Sequence, residues 1–149
     1  MCSSDLAAGS LCGMAGVIKL GAANSWVQIM TPELKCLSRN AKIKVSFDMC
    51  PFTDNGTKIA DPLDATIKVM TGVTLGKKGD MNQALVSGTV AQEKTFTINS
   101  VIAMSRYEFV LENVAPGSRI AIGTYRPAGA AAGNRRAFLD NVKIEIISY

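Results

Sequence analysis

Apolar and polar residues alternate with a period of two along most of this chain. The clearest run covers residues 41–50, where Ile43, Val45, Phe47 and Met49 are each followed by a polar residue or Cys50. In a strand, successive side chains point to opposite faces. This run therefore predicts a strand with one buried and one solvated face.

The same alternation predicts further strands, several of them bounded by turn residues. They are expected at 65–69, 95–98, 107–112, 120–122 and 142–146, with weaker ones at 16–20, 27–31 and 84–90. Gly72 is expected to end the strand that begins near residue 65. No segment carries a helical period. Eight or nine short strands joined by turn-rich loops predict an all-β, antiparallel β-sandwich of the jelly-roll kind.

Five aromatic residues of the alternating segments are predicted to lie in the core. They are Phe47, Phe96, Tyr107, Phe109 and Phe138. The segment 126–136, with the sequence RPAGAAAGNRR, is predicted to be a flexible loop before the last strand. Loops of this length are often functional.

Composition limits the chemistry available to the chain. Its 149 residues suit one domain, and 48% apolar with 19% charged residues excludes global disorder. The absence of histidine excludes a Ser-His-Asp triad and a histidine zinc site. Asp54, Asp61 and Asp64 are interpreted as turn formers and solvated charges of one loop region, so we expect no enzyme.

Charge and hydropathy also limit the kinds of partner that the chain is expected to bind. The net charge of +4 is dispersed, without the basic patch and interleaved aromatics of a nucleic-acid binder, so we expect no nucleic-acid partner. No apolar run reaches about 18 residues, so we expect no membrane insertion by this segment.

The first six residues, MCSSDL, resemble the translated 3′ end of a common sequencing adapter. Under this interpretation 1–6 are non-native, and 7–149 form one β-sandwich domain of a 5′-truncated protein, in which the N-terminal strand is expected to be missing. The alternative is a genuine short N-terminus. Without Cys2, three cysteines remain, and free thiols or a single disulfide are both open. Cys50 is expected to be a small buried apolar residue.

Three motifs occur in a fixed order: GVIKLG at 16–21, TPEL at 31–34 and RAFLDNVKI at 136–144. This order resembles the jelly-roll, galactose-binding-like modules of surface lipoproteins from gut anaerobes, over about residues 16–147. The resemblance implies a non-catalytic, carbohydrate-binding-like module at the cell surface or outside the cell. It also implies attachment to other domains of the same polypeptide.

In related modules the aspartate of the closing strand helps to hold a structural calcium ion, and Asp140 matches that position. Asn141 replaces the second aspartate of the family motif, and the partner ligands usually come from the N-terminal strand. We expect no cofactor other than this structural calcium ion.

Sugar sites combine flat aromatic rings with hydrogen-bonding side chains. The residues predicted to provide them are Asn24, Trp26, Tyr125, Arg126, Asn134 and Arg135. The alternative is that Trp26 packs under the sandwich edge and Tyr125 caps the core. Two functions therefore stay open: a glycan-binding module, or a structural or adhesive spacer that contacts proteins.

Overall fold

A computed structural model of the chain describes residues 11–14, 16–21, 27–51, 63–76, 85–98, 103–125 and 136–149. Nine strands lie in these ranges. They are β1 (Leu11–Met14), β2 (Val17–Leu20), β3 (Gln28–Met30), β4 (Ala41–Pro51), β5 (Leu63–Leu75), β6 (Leu85–Ile98), β7 (Ser105–Val114), β8 (Arg119–Tyr125) and β9 (Ala137–Ser148).

The strands form two antiparallel sheets. The five-stranded sheet has the order β1-β2-β9-β4-β7, and the four-stranded sheet has the order β3-β8-β5-β6. Most neighbours in each sheet are distant in sequence, as a sandwich with crossing connections requires. The predicted all-β, antiparallel β-sandwich of the jelly-roll kind is confirmed.

The core lies between the two sheets and follows the period-two pattern. Val45, Phe47 and Leu111 of the five-stranded sheet and Ile67 and Ile122 of the four-stranded sheet belong to one buried cluster. Burying each such side chain contributes roughly 1.5–3 kcal/mol. The alternate positions of the same strands face outward, so the core fixes which residues each outer face presents.

Three of the predicted core aromatics surround Phe47. The ring centroids of Phe96, Tyr107 and Phe109 lie 5.8, 6.0 and 5.9 Å from that of Phe47. These distances are in the range of favourable aromatic pairs. Phe138 is a correction, because it alternates with the buried Ala137 and Leu139 and is absent from the core cluster.

Two strands are longer than predicted. β5 continues through Gly72 to Leu75, because Gly72 takes a φ of 59° and the register with β6 shifts between Thr71 and Thr74. A bulge thus absorbs the glycine that was expected to end the strand. The predicted strands 84–90 and 95–98 form the single strand β6, and Asp64 lies in β5 rather than in a loop.

Inward-facing polar residues close one side of the sandwich, where β6 and β7 are the outer strands of their sheets. Gln92 and Lys94 pair with the core positions Val69 and Ile67, yet each reaches across to a β7 carbonyl. Gln92 donates to the carbonyl of Glu112, and the Lys94 Nζ donates to that of Val110 over 2.8 Å. These bonds satisfy backbone groups that an outer strand would otherwise leave unpaired.

The cysteine predictions are answered for two positions. Cys36 is exposed and Cys50 is buried, and both are free thiols, so the expected burial of Cys50 is confirmed. Burial raises the pKa of the Cys50 thiol. Within the described residues, no helix has the length and apolar character needed to cross a membrane.

Candidate functional site

The outer face of the five-stranded sheet is a ladder of paired charges. Lys42 lies 2.8 Å from Glu112, and Lys44 lies within 4 Å of both Glu108 and Glu145. Exposed pairs of this kind contribute little to stability but leave few charges without a neighbour. This face therefore has the character of a solvated surface.

The outer face of the four-stranded sheet is chemically different. Because Ala65, Ile67 and Val69 face the core, the alternate residues of β5 and their partners on β6 face outward. We call this surface the polar face. Its members are Gln28, Asp64, Thr66, Lys68, Glu93, Thr95 and Thr97. The polar face presents an amide, hydroxyls and three charges. Its neighbouring strands lie about 4.8 Å apart.

The charges of the polar face are satisfied by their own neighbours. Thr97 Oγ1 donates to the carboxylate of Asp64 over 2.8 Å, and the Lys68 ammonium lies 3.3 Å from Glu93. One excess negative charge remains among the seven residues. A surface with many hydrogen-bonding groups and little net charge suits a neutral polar ligand better than an ion.

Side chains at the centre of the polar face are covered, whereas those at its margins are exposed. Thr66 is 1% exposed and Ala121 is 0% exposed, although both alternate away from the core. Gln28, Thr95 and Thr97 at the margins are exposed. The groups of this face that a ligand can reach are therefore the hydrogen-bonding side chains at its margins.

Gly123 fixes β3 at one end of this face. A Cβ atom at Gly123 would lie 2.4 Å from the Val27 carbonyl oxygen and 2.6 Å from Gln28 Cγ, so only glycine allows this approach. Val27 also makes two hydrogen bonds with Thr124, at 3.2 Å through its carbonyl and 3.4 Å through its amide. β3 and β8 are therefore held tightly together at their 27 and 124 ends.

Most of the predicted sugar-binding residues lie outside the described residues. They are Asn24, Trp26, Arg126, Asn134 and Arg135. Tyr125 ends β8, and its backbone pairs with Asp64. Val27 and Thr124, which are hydrogen-bonded, are the chain neighbours of Trp26 and Tyr125. The predicted roles of Trp26 and Tyr125 stay predictions.

Asp140, the predicted calcium ligand, lies opposite Asp48 on the outer face of the five-stranded sheet. The two oxygens of Asp48 accept hydrogen bonds from Arg106 at 3.1 Å and from Asn141 Nδ2 at 2.7 Å. These bonds lower the pKa of Asp48, the Asn141 bond having the larger effect. The guanidinium also offsets the repulsion between two facing carboxylates.

These side chains do not by themselves fit a calcium ion, which takes six to eight oxygen ligands. Asp140 Oδ1 accepts the backbone amide of Asn141, and both Asp48 oxygens are engaged by donors. Among the described residues, no three acidic, histidine or cysteine side chains form a group able to hold a metal. The calcium prediction depends on N-terminal ligands outside the described ranges.

Gln28, Thr95 and Thr97 were not predicted as candidate binding residues. Each is an outward position in a strand, which by pattern alone is only a solvated residue. Their assembly depends on β8 and β5 lying between β3 and β6. The absence of large residues at 121 and 123 was the one signal available, but alanine and glycine are too common to carry it alone.

No family model and no curated protein matches the chain. Solved structures resemble it at low identity. A CBM4 carbohydrate-binding module is 12% identical with a TM-score of 0.49, covering 97% of this chain and 83% of its own. A family 16 carbohydrate-binding module is 11% identical with a TM-score of 0.49, covering 91% and 85%.

A third similar structure is the enzymatically active domain of tailspike protein 4 of bacteriophage CBA120. It is 13% identical with a TM-score of 0.49, and the match covers 97% of this chain but only 16% of that protein. With TM-scores below 0.5 in all three cases, function has to be argued from the residues themselves.

Proposed function

We propose that this domain binds a neutral carbohydrate on the polar face of its four-stranded sheet, without catalytic turnover. The observation that carries the proposal is the set of exposed hydrogen-bonding side chains on this face, Gln28, Thr95 and Thr97, with little net charge among their neighbours. Sugars offer several hydroxyl groups and apolar C–H faces, and a site for them needs polar groups beside aromatic rings.

We infer that Trp26 and Tyr125 supply the aromatic part of the site. The hydrogen bonds between Val27 and Thr124 support this inference, because each bonded residue is the chain neighbour of one aromatic residue. Asn24, Arg126, Asn134 and Arg135 belong to the same proposal as flanking polar residues.

The location and context are part of the proposal. The order of the GVIKLG, TPEL and RAFLDNVKI motifs supports a non-catalytic module of a surface or secreted protein, attached to other domains of the same polypeptide. The absence of histidine supports a binding role, since the commonest acid–base side chain is lacking.

The test is retention on a panel of immobilised neutral polysaccharides: β-glucan, β-galactan, xylan and mannan. We expect at least one to retain the protein, and retention to persist in 0.5 M salt because stacking and neutral hydrogen bonds are little screened. Retention only on acidic polysaccharides and only at low salt would reflect the net charge of +4 and would contradict the proposal.

Variants locate the site. Replacing Trp26 and Tyr125 together by alanine should weaken binding more than tenfold, since each ring contributes about 0.5–1.5 kcal/mol beyond its buried area. The matched aromatic control is Tyr149→Ala, which removes an exposed ring that Arg39 covers at 5.3 Å. Equal loss in the control, or none in the double variant, would refute the aromatic assignment.

The exposed hydroxyl groups of the polar face are tested by isosteric substitutions. Thr95→Val and Thr97→Val should each weaken binding about three- to tenfold, because each removes one hydrogen bond of about 0.5–1.5 kcal/mol. The control is Thr74→Val, an exposed position ten residues beyond Asp64 on β5, about 30 Å away. No retention of the parent protein by any polysaccharide would favour the structural or adhesive spacer instead.

A further inference from the structure

The two edges of β9 are paired to different extents. One edge pairs with β4 along the strand from Ala137 to Ser148, whereas the other pairs with β2 only at Ala137, Phe138 and Leu139. Among the described residues, no strand pairs with that second edge from residue 140 to 148. Such an edge presents backbone donors and acceptors to a further strand.

This edge also carries apolar side chains that a solvated edge normally lacks. Val142, Ile146 and Ile147 are 39%, 41% and 49% exposed. Neighbouring apolar residues on an exposed strand segment favour association more than isolated ones do. The β6 and β7 edges, by contrast, are joined by Lys94 and Gln92. Among the described residues, no side chain makes such a bond to the backbone of β9 from Val142 to Ile146.

The sequence of this edge is self-complementary in antiparallel orientation. If two copies pair about a twofold axis at Ile144, then Lys143 lies opposite Glu145 of the second copy, and Val142 lies opposite its Ile146. Ile144 lies opposite Ile144 of the second copy on the axis. All three cross-strand combinations are favourable, because opposite charges face each other and apolar residues face apolar residues. An isologous interface requires this kind of match.

The local electrostatics are compatible with that pairing. Within one chain the Lys143 ammonium lies 2.7 Å from the Glu145 carboxylate, and the two side chains are 61% and 38% exposed. Lys143 is the main cause of the lowered pKa of Glu145, so this carboxylate is charged at neutral pH. In the pair of strands, each Lys143 would have one Glu145 along its own strand and another across the axis. Charges of opposite sign would therefore face each other across the axis.

We propose that the domain self-associates through residues 142–146 of β9, forming a twofold dimer in which these segments of the two β9 strands pair with each other. The occupant of the open edge is a second copy of this chain. A single pair of strands is a small interface, and interfaces of this size are typical of weak association. The dimer is therefore expected to depend on protein concentration.

The test is sedimentation equilibrium of the full chain over a series of concentrations, with charge-reversal variants. Lys143→Glu places glutamate opposite glutamate, and Glu145→Lys places lysine opposite lysine. Each should weaken self-association about tenfold, because the twofold axis repeats every unfavourable pair. The control Lys35→Glu makes the same charge change at a side chain whose ammonium lies beside Glu33.

Mixing the two variants gives the sharpest result. The Lys143→Glu chain and the Glu145→Lys chain complement each other, so the mixture should form a heterodimer although neither variant forms a homodimer. The chain with both changes should regain homodimerisation. Circular dichroism and thermal melting of dilute samples establish that each variant is folded.

Several outcomes would overturn the proposal. A wild-type chain that stays monomeric at all concentrations contradicts it, and so does a dimer that the single variants do not weaken. A monomer whose amides at 142–146 resist hydrogen exchange on both edges would mean that another segment of the same chain covers the edge. A mixture without heterodimer would refute the register even if the wild type dimerises.

Discussion

Gly123→Ala tests the contact that holds β3 against β8 beside the polar face. The added Cβ would lie 2.4 Å from the Val27 carbonyl oxygen, where ordinary van der Waals contact begins at 3.4 Å. Because the obstacle is backbone, a side-chain rotation cannot relieve it, and β3 has to retreat by about 1 Å, the difference between these distances.

The cost follows from what that retreat breaks. The two hydrogen bonds between Val27 and Thr124 measure 3.2 and 3.4 Å, so a further displacement of about 1 Å takes both beyond hydrogen-bond range. At about 1 kcal/mol each, with about 1 kcal/mol of strain, the free energy of unfolding should fall by about 3 kcal/mol. For a chain of this size the melting temperature should fall by about 6–12 °C.

The assay is urea unfolding and thermal melting of Gly123→Ala beside two other glycine variants. At Gly88 a Cβ meets the side-chain atom Val73 Cγ2 at 3.2 Å, which can move, so alanine should cost less than about 1 kcal/mol. At Gly117 the space is empty but φ is 77°, so alanine should cost about 1–2 kcal/mol through backbone strain alone.

The order of the three variants in stability tests the predicted clash at Gly123. If Gly123→Ala unfolds at the same urea concentration as Gly88→Ala, then β3 yields without cost and the reasoning is wrong. Under the proposed function, Gly123→Ala should also weaken glycan retention, whereas Gly117→Ala, in the turn before β8 and about 20 Å from residue 123 along the strand, should leave it unchanged.

Three further predictions concern the core, the charges and the thiols. Phe47→Ala should lower the free energy of unfolding by about 3–5 kcal/mol, measured in urea, since Phe47 is fully buried among three rings; a loss below 1 kcal/mol would contradict this packing. The pKa of Asp48 is lower in the folded protein than in the unfolded chain. Its contribution to the free energy of unfolding is therefore present above the unfolded pKa and is lost as pH falls through the folded pKa. Arg106→Gln should therefore reduce stability at pH 6 more than at pH 3, and an equal loss at both would refute the pairing. Iodoacetamide should modify the exposed Cys36 well before Cys50, whose thiol pKa is raised by burial; mass spectrometry of peptides measures both rates, and equal rates would refute the burial.

The strands were predictable because alternation is local. Residues 41–50 carry their period-two pattern in the sequence, and β4 follows it with Ile43, Val45, Phe47 and Met49 all buried. The pattern failed where a bulge or an outer strand intervenes. Gly72 was expected to end a strand, and the predicted strands 84–90 and 95–98 left residues 91–94 as a break in β6. In both cases the neighbouring strand supplied hydrogen bonds that the segment alone could not reveal.

Side-chain direction at Phe138 shows a second limit. Phe138 and Leu139 are both apolar, and alternation permits only one of them to face the core. Register with β4 decides it, since Leu139 pairs with Met49 and Phe138 with Cys50. Phe138 was predicted to be in the core as an alternating aromatic residue, and the structure places Leu139 there instead.

The amino-acid sequence by itself determined the class of fold, the buried face of most strands and the exclusion of histidine chemistry, because each depends on residues near one another in the chain or on composition alone. The tertiary structure decided which outward residues meet. Gln28, Thr66 and Thr95 lie on three different strands, and they share a surface because β8 and β5 lie between β3 and β6. The bond between Val27 and Thr124 spans 97 positions of the sequence. Strand order is set by how two sheets bury their apolar faces together, and that packing is a property of the whole chain.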